Sequence, residues 1–89
     1  MVRPTDDSAD AYKTLGRALR ALRDEAGLTQ EQLAARVDAG ATYISQVENG
    51  HRGIRWHLLL RFLTALDTDL HFLADAIAEV EKQDRSAKR

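Results

Sequence analysis

The sequence of 89 residues contains no cysteine, and it contains no apolar run long enough to cross a membrane. Without cysteine, neither a disulfide framework nor a thiolate metal site can form, so the fold must depend on packing alone. A membrane-spanning helix would need about 18 or more consecutive apolar residues. The opening segment MVRPTDDSADAY is polar and acidic, unlike a signal or transit peptide, and we therefore expect a cytoplasmic protein with no membrane partner.

The sequence also lacks the groupings of residues that catalysis or metal binding requires. Its histidines, His51, His57 and His71, are widely spaced, and no other residue completes a set of metal ligands with them. No nucleophile–base or acid–base pair stands out, and a chain of this length forms one domain with little room for a catalytic pocket. We expect neither an enzyme, nor a metal site, nor a cofactor.

The net charge of −1 conceals an uneven distribution of charge along the chain. Between residues 39 and 66 the only acidic residue is Glu48, against three arginines and two histidines. Between residues 67 and 84 there are six acidic residues and one lysine, which we interpret mainly as a solvated helix face. One part of the chain is mildly basic and could meet a nucleic acid, although the total charge hides this.

Apolar residues recur at helical spacing and predict an all-α domain of five helices. A stripe from Leu15 to Ala26 marks the first helix, and Gly27 ends it. The predicted helices cover residues 9–26, 30–37, 41–49, 56–66 and 70–84, with Asp69 capping the last. Residues 1–8 are expected to be flexible and residues 85–89 to form a loose tail, so the folded domain is 9–84. The segment DLHFL is the one stretch that could be a strand instead.

The start of the second helix is unusually well marked. Thr29 can cap it with a hydroxyl and Gln32 can reach back to the backbone of the cap, which is a capping box. Leu28 and Leu33 have the spacing of a hydrophobic staple. The second and third helices, each about eight residues long, are too short to be stable alone, and only DAG separates them. This arrangement predicts a helix-turn-helix.

The spacing within this pair of helices fits a unit that runs from Gln30 to Asn49. Ala34 supplies the small side chain needed where the two helices cross. The inward positions of the unit are all apolar, and they hold Leu33, Val37, Ala39, Ile44 and Val47. LTQEQLA followed by ISxxExG resembles the lambda-repressor/Cro-type helix-turn-helix family, the xenobiotic-response-element group of bacterial regulators. The chain departs from that pattern at three positions. Asp38 replaces a usual glycine at the turn, Gly40 replaces a serine or threonine as a weaker cap of the third helix, and Ile54 replaces a common proline.

The resemblance implies that the third helix reads double-stranded DNA through the major groove. The residues expected to read bases are Ala41, Thr42, Ser45 and Gln46. Gln46 is the strongest candidate because a glutamine can make two hydrogen bonds to the edge of adenine. The residues expected to contact phosphates are Gln30, Tyr43, Asn49, His51, Arg52 and Arg55. Tyr43 could pack against the second helix instead.

The resemblance also implies a structural role for Glu48, since a carboxylate that faced DNA would be repelled. The family pairs this glutamate with an arginine of the first helix, and the matching residue here is Arg23. We expect a structural ion pair that orients the first helix on the end of the third.

The fourth and fifth helices carry more apolar residues than one small core needs. We assign Trp56, Leu59, Leu60, Leu63 and Leu66 to the core of the monomer. The surplus residues, which we predict to form a two-fold homodimer interface, are Leu58, Phe62, Leu70, Leu73, Ile77 and Val80. A larger monomer core is the alternative.

The kind of regulator is left open by the sequence. ATYIS, VENGHR and the C-terminal helix are loosely similar to the controller proteins of restriction–modification systems. Phage-type repressors and antitoxin regulators have the same core, and a strand at DLHFL would favour an antitoxin. A protein-binding adaptor that keeps the fold without contacting DNA is the alternative from another class. We expect a transcriptional repressor or controller that acts as a homodimer on a palindromic operator.

Overall fold

The computed structural model describes residues 4–87, in which the chain forms five helices joined by short connections and contains no strand. The helices are α1 (Pro4–Glu25), α2 (Gln30–Val37), α3 (Ala41–Glu48), α4 (Trp56–Ala65) and α5 (Leu70–Ala87). The prediction of an all-α five-helix domain is confirmed. DLHFL lies at the start of α5, where Asp69 Oδ1 accepts hydrogen bonds from the backbone of His71 and Phe72, so this stretch is helical.

Both long helices extend further than the apolar pattern predicted. Helix α1 begins at Pro4 rather than near residue 9, because proline is tolerated at the first helical position, where the backbone N–H has no partner in any case. Helix α5 continues to Ala87 rather than ending near Asp84. Asp84 is ion-paired with Arg17 of α1, which holds the end of α5 against α1, and Arg85 suits the last turn of a helix. The expected flexibility of residues 1–3 and 88–89 lies outside the described residues.

The caps and the turn of the helix-turn-helix follow from the local sequence. The Thr29 hydroxyl accepts from the backbone N–H of Gln32 at 3.0 Å, and the Gln32 side chain accepts from the backbone N–H of Thr29 at 2.9 Å. Asp38 ends α2 in the left-handed conformation, with φ 56° and ψ 49°. Gly40 precedes α3 without a side-chain cap. The capping box is therefore present as predicted, and the turn keeps the left-handed backbone with an aspartate in place of the usual glycine.

The core is built where the inward faces of all the helices meet. Its largest fully buried side chains are Phe62, Leu19, Leu33, Ile44, Val37 and Val47. The prediction that Phe62 faces away from this core was wrong, since its side chain is 0% exposed. Trp56 and Leu60, which were expected inside, are 61% and 40% exposed. The inward face of α4 is thus Leu59, Phe62 and Leu63, and Leu66, directly after the helix, continues the same helical stripe.

The same packing changes the predicted dimer surface. Leu73 and Val80 are buried within the monomer, at 4% and 6% exposure, because α5 lies along α1. Of the other residues assigned to the interface, Leu58 and Ile77 are half-buried and Leu70 is exposed. The surplus of apolar residues therefore mainly enlarges the monomer core. Among residues 4–87, no helix is long and apolar enough to span a membrane.

Candidate nucleic-acid interface

The two short helices are held from within, so that one face of α3 remains outside. On the inner side, Leu33, Ala34 and Val37 of α2 and Ile44 and Val47 of α3 are at most 5% exposed. Ala34, the small residue assigned to the crossing of the two helices, is 5% exposed. Because Ile44 and Val47 take up the inward positions of α3, the opposite face of this helix is directed away from the core.

A buried ion pair joins α1 to the end of α3. Arg23 Nε donates to Glu48 Oε2 at 2.6 Å and Arg23 Nη2 donates to Glu48 Oε1 at 2.9 Å, which is a bidentate arrangement. The two residues are only 8% and 4% exposed. Arg23 Nη1 also donates to the backbone oxygen of Leu28 at 2.7 Å. The hydrogen bond to Glu48 raises the pKa of Arg23, against the opposing effect of burial, so the guanidinium stays charged.

Gln30 completes this buried network rather than lying free for DNA. Its Nε2 donates to Glu48 Oε1 at 3.0 Å, and the residue is half-buried. The side chain is therefore engaged with the ion pair, and a phosphate contact at this position would have to use the backbone N–H at the start of α2. The network links α1, α2 and α3 through one carboxylate.

The close approach of α1 to α3 was not predicted, although Gly16, a glycine inside a helix, is the kind of residue that allows such a contact. A Cβ at Gly16 would lie 2.2 Å from the backbone oxygen of Val47 and 2.7 Å from that of Glu48. Only a glycine fits at this point. The contact places α1 directly against the C-terminal end of α3, next to the Arg23–Glu48 pair.

The outer face of α3 carries the four residues expected to read bases. Thr42 is exposed, and Ala41, Ser45 and Gln46 are half-buried. Asn49 Nδ2 donates to Ser45 Oγ at 3.3 Å, which ties the residue after α3 to its outer face. The four side chains therefore share one surface, and that surface is mostly polar.

Arg52 folds back onto the outer face of α3 instead of projecting alone into solvent. Its Nη1 donates to Gln46 Oε1 at 3.2 Å. Its guanidinium carbon lies 4.5 Å from the centre of the Tyr43 ring, a cation–π contact. Tyr43 is half-buried against the core, so it combines the packing role with exposure beside Arg52. His51 and Arg55 are exposed on the segment between α3 and α4, on either side of Arg52 in the chain.

The described residues contain no cluster of histidine, aspartate or glutamate that could hold a metal ion. The site is instead a helix face bordered by cationic residues and braced by a buried ion pair, which is the geometry of a groove-binding helix.

A protein-family model described as a helix-turn-helix domain matches residues 14–76, which include α2, α3, α4 and the Arg23–Glu48 pair. This chain belongs to the helix-turn-helix domain family. The family is one of DNA-binding transcriptional regulators and not of enzymes. The resemblance to lambda-repressor/Cro-type regulators is confirmed.

One curated relative and two crystal structures show which regulators this helix-turn-helix domain is similar to. The propionyl-CoA carboxylase regulator of Cereibacter sphaeroides is 36% identical over 64 residues, which are 72% of this chain and 14% of that protein. The clp gene regulator ClgR from C. glutamicum has a TM-score of 0.69 at 30% identity, covering 80% of this chain and 87% of that one. The restriction–modification controller protein C.AhdI from Aeromonas hydrophila has a TM-score of 0.68 at 34% identity, covering 72% and 97%.

The relatives differ in how much of their length the helix-turn-helix domain represents. The chain spans 14% and 12% of the curated relatives that it matches. It spans nearly all of the controller protein C.AhdI. The similarity therefore concerns the domain itself, and the predicted likeness to restriction–modification controllers is confirmed at the level of the fold.

Proposed function

We propose that this helix-turn-helix domain binds double-stranded DNA with sequence specificity and regulates transcription in the cytoplasm. The observation that carries the proposal is the placement of charge around α3. Glu48, the only acidic residue between 39 and 66, is buried at 4% exposure and neutralised by Arg23, whereas Arg52 and Arg55 are exposed beside the polar outer face. Residues 39–66 thus contribute no exposed carboxylate to the surface around α3, and this suits contact with a phosphate backbone.

In this proposal the outer face of α3 enters the major groove, with Thr42, Ser45 and Gln46 toward the base edges and Ala41 close enough to contact a thymine methyl. Phosphates on the two sides of the groove are contacted by the residues that flank the helix. These are the backbone of Gln30 and the side chains of Tyr43, Asn49, His51, Arg52 and Arg55.

The test is a titration of a duplex that carries the region upstream of the protein's own gene, at two salt concentrations. A dimer with about six to ten phosphate contacts should lose about 10³–10⁵ in affinity between 50 and 200 mM salt. Replacing Arg55 by alanine should make this dependence on salt less steep without abolishing binding. Binding that does not depend on salt, or an absence of binding, would contradict the proposal.

We further propose that the domain acts as a homodimer on a palindromic operator, as a repressor or controller. A two-fold dimer would place two copies of α3 about 34 Å apart, one turn of DNA, and would double a short base-reading surface. Of the residues predicted to form this interface, those not buried in the monomer core are Leu58, Leu70 and Ile77, and Leu70 is 43% exposed. The similarity to C.AhdI, a restriction–modification controller protein, supports a controller role.

Leu70→Asp tests the dimer, because it would place a charge in the interface while an acidic residue suits the first turn of α5. Light scattering should report a monomer, and affinity for a two-half-site duplex should fall by more than tenfold, since linked half-sites gain from effective concentration. Phe72→Asp, at a residue 56% exposed, is the matched control. A Leu70→Asp protein that stays dimeric would move the interface elsewhere.

A protein-binding adaptor is the second candidate, and the exposed apolar pair on α4 favours it. Trp56 and Leu60 are four residues apart on one helix, at 61% and 40% exposure, and could dock on another protein. Loss of a partner on Trp56→Ala, together with no binding to any duplex, would support this role over DNA binding. The helical start of α5 removes the strand that would have favoured an antitoxin.

A further inference from the structure

Three side chains at the edge of the outer face of α3 form a connected unit. The Arg52 guanidinium lies over the Tyr43 ring, with 4.5 Å between its central carbon and the ring centre. The same guanidinium donates from Nη1 to Gln46 Oε1 at 3.2 Å. Tyr43 and Gln46 belong to α3, whereas Arg52 belongs to the segment that follows it. Arg52 thus bridges a side chain that packs on the core and the side chain expected to read a base.

The two contacts together restrict how the Gln46 amide can face. A guanidinium is planar, so stacking on a ring fixes the plane in which its N–H groups point. The bond to Oε1 then places the amide oxygen on the side of Arg52 and the amide nitrogen on the other side. A carboxamide without such a partner can present its donor and acceptor in either order. Held in this way, Gln46 presents them in one order.

We infer that Arg52 is a positioning residue for base reading by Gln46, with Tyr43 as its platform. The carboxamide oxygen keeps a second lone pair, so it can accept from Arg52 and from the N6 amino group of an adenine while Nε2 donates to N7. The guanidinium has five N–H donors, and those not used on Gln46 are free to hold a phosphate. Arg52 thereby connects the register of the backbone contact to the base that Gln46 reads. The inference rests on the proposed DNA-binding function.

The expectation for Arg52 consequently changes. If Arg52 only contacted a phosphate, its replacement would weaken binding to all DNA sequences about equally. As a positioning residue, it controls the preference at the one base pair that Gln46 reads. Lysine separates the two roles, because it keeps the positive charge for a phosphate but lacks the planar fork that stacks on Tyr43 and bonds the amide.

The experiment is selection of bound duplexes from a library with randomised 20-base-pair inserts, followed by sequencing. Wild-type protein defines the preferred site, and Gln46→Ala identifies the base pair that depends on Gln46. Arg52→Lys should lower the preference at that base pair by about 5- to 100-fold, the range of a lost bidentate base contact, while other positions keep theirs. Arg55→Lys is the matched control, since Arg55 is an exposed arginine of the same segment and should leave the preference at that base pair intact.

Tyr43 provides an independent pair of variants. Tyr43→Phe keeps the ring under Arg52 and should retain the preference at the base pair read by Gln46, even where the lost hydroxyl weakens binding to every sequence. Tyr43→Leu removes the ring and should relax the preference as Arg52→Lys does. Retention of the preference by Tyr43→Leu would overturn the role of the Tyr43 ring as the platform for Arg52.

The outcomes separate this inference from the function on which it rests. Enrichment of a site by the wild type, with no change of preference in Arg52→Lys, overturns the positioning role and leaves DNA binding in place. No base pair that responds to Gln46→Ala also overturns it, because there would be no base reading for Arg52 to position. Failure of the wild type to enrich any sequence overturns the proposed function and this inference together.

Discussion

The inner and outer sides of the helix-turn-helix each contain an arginine that joins several other residues, but the surroundings of the two arginines are opposite. Arg23 is 8% exposed and forms a bidentate pair with a carboxylate that is itself 4% exposed. Arg52 is exposed and contacts a neutral amide and an aromatic ring. An arginine side chain therefore stabilises the fold on the inner side, whereas on the outer side it remains accessible to a binding partner.

The two arginines differ in whether water can replace their partners. Where water is excluded, loss of one partner strands a charge, so the contacts of Arg23 are obligatory. Where water is present, it can take over either contact of Arg52, so these contacts cost little to break, and the N–H groups that they leave unused are available to DNA. The helix-turn-helix combines a buried inner side with an accessible outer side.

Breaking the inner side should have the largest effect. Glu48→Gln removes the charge that Arg23 requires and should lower the free energy of unfolding by about 3–5 kcal/mol. Asp24→Asn is the control, because Asp24 lies 3.4 Å from Arg23 Nη1 with a side chain that is 60% exposed. An exposed pair of this kind contributes about 1 kcal/mol or less. Urea unfolding without DNA measures both, and equal losses would mean that the inner pair is open to water.

The close approach of α1 to α3 should come next. Gly16→Ala places a methyl group against two backbone oxygens that cannot rotate away, and it should cost about 1–3 kcal/mol or more of stability. A Cβ at Gly40 would meet nothing within 4 Å, so Gly40→Ala measures the ordinary effect of adding a methyl. Thermal melting compares the two proteins. If Gly16→Ala and Gly40→Ala have the same melting temperature, α1 and α3 are further apart than described.

Changes to the outer side should spare the fold and affect DNA. Gln46→Ala should leave the melting temperature unchanged and cost about 1–3 kcal/mol of binding at one base pair in each half-site. Arg55→Ala should weaken binding to all sequences by a similar factor. A panel of duplexes that differ at single base pairs distinguishes these patterns, and identical profiles for the two variants would refute the division between base and phosphate contacts.

The turn between the two sides should respond least. Asp38 has a left-handed backbone, which glycine adopts without the steric cost of a Cβ, so Asp38→Gly should stabilise the fold by about 1 kcal/mol or less. Asp67, with φ 55°, is in the same conformation after α4, and Asp67→Gly offers a parallel measurement. A loss of stability confined to Asp38→Gly would indicate that the aspartate side chain contributes to the turn.

The parts of the fold that local chemistry specifies were predicted well. The capping box at Thr29 and Gln32 located the start of α2, and the stop at Asp38 followed from the short DAG connection. The Arg23–Glu48 pair came from the family resemblance and lies where that resemblance implied. Such features depend on a few residues close in sequence or on a motif with fixed spacing, which a single sequence contains.

Which face of a helix is buried was predicted poorly. WHLLLRFLTAL is apolar at so many positions that periodicity cannot distinguish a stripe through Trp56 and Leu60 from one through Leu59 and Phe62. Contact with the other helices makes that choice, and it buries Phe62 and exposes Trp56. The inward turn of the Gln30 amide was missed for the same reason, because it depends on a carboxylate 18 residues away in the chain.

The glycine at position 16 has a consequence for how such a domain can change over generations. Every single-nucleotide change in a glycine codon that yields another amino acid introduces a Cβ, and a Cβ at this position would overlap the backbone of Val47. No point mutation there is a small step, whereas the exposed Thr42 can be exchanged for other residues without disturbing the packing. A lineage can therefore alter what α3 recognises one residue at a time, while the angle at which α1 holds α3 is inherited unchanged.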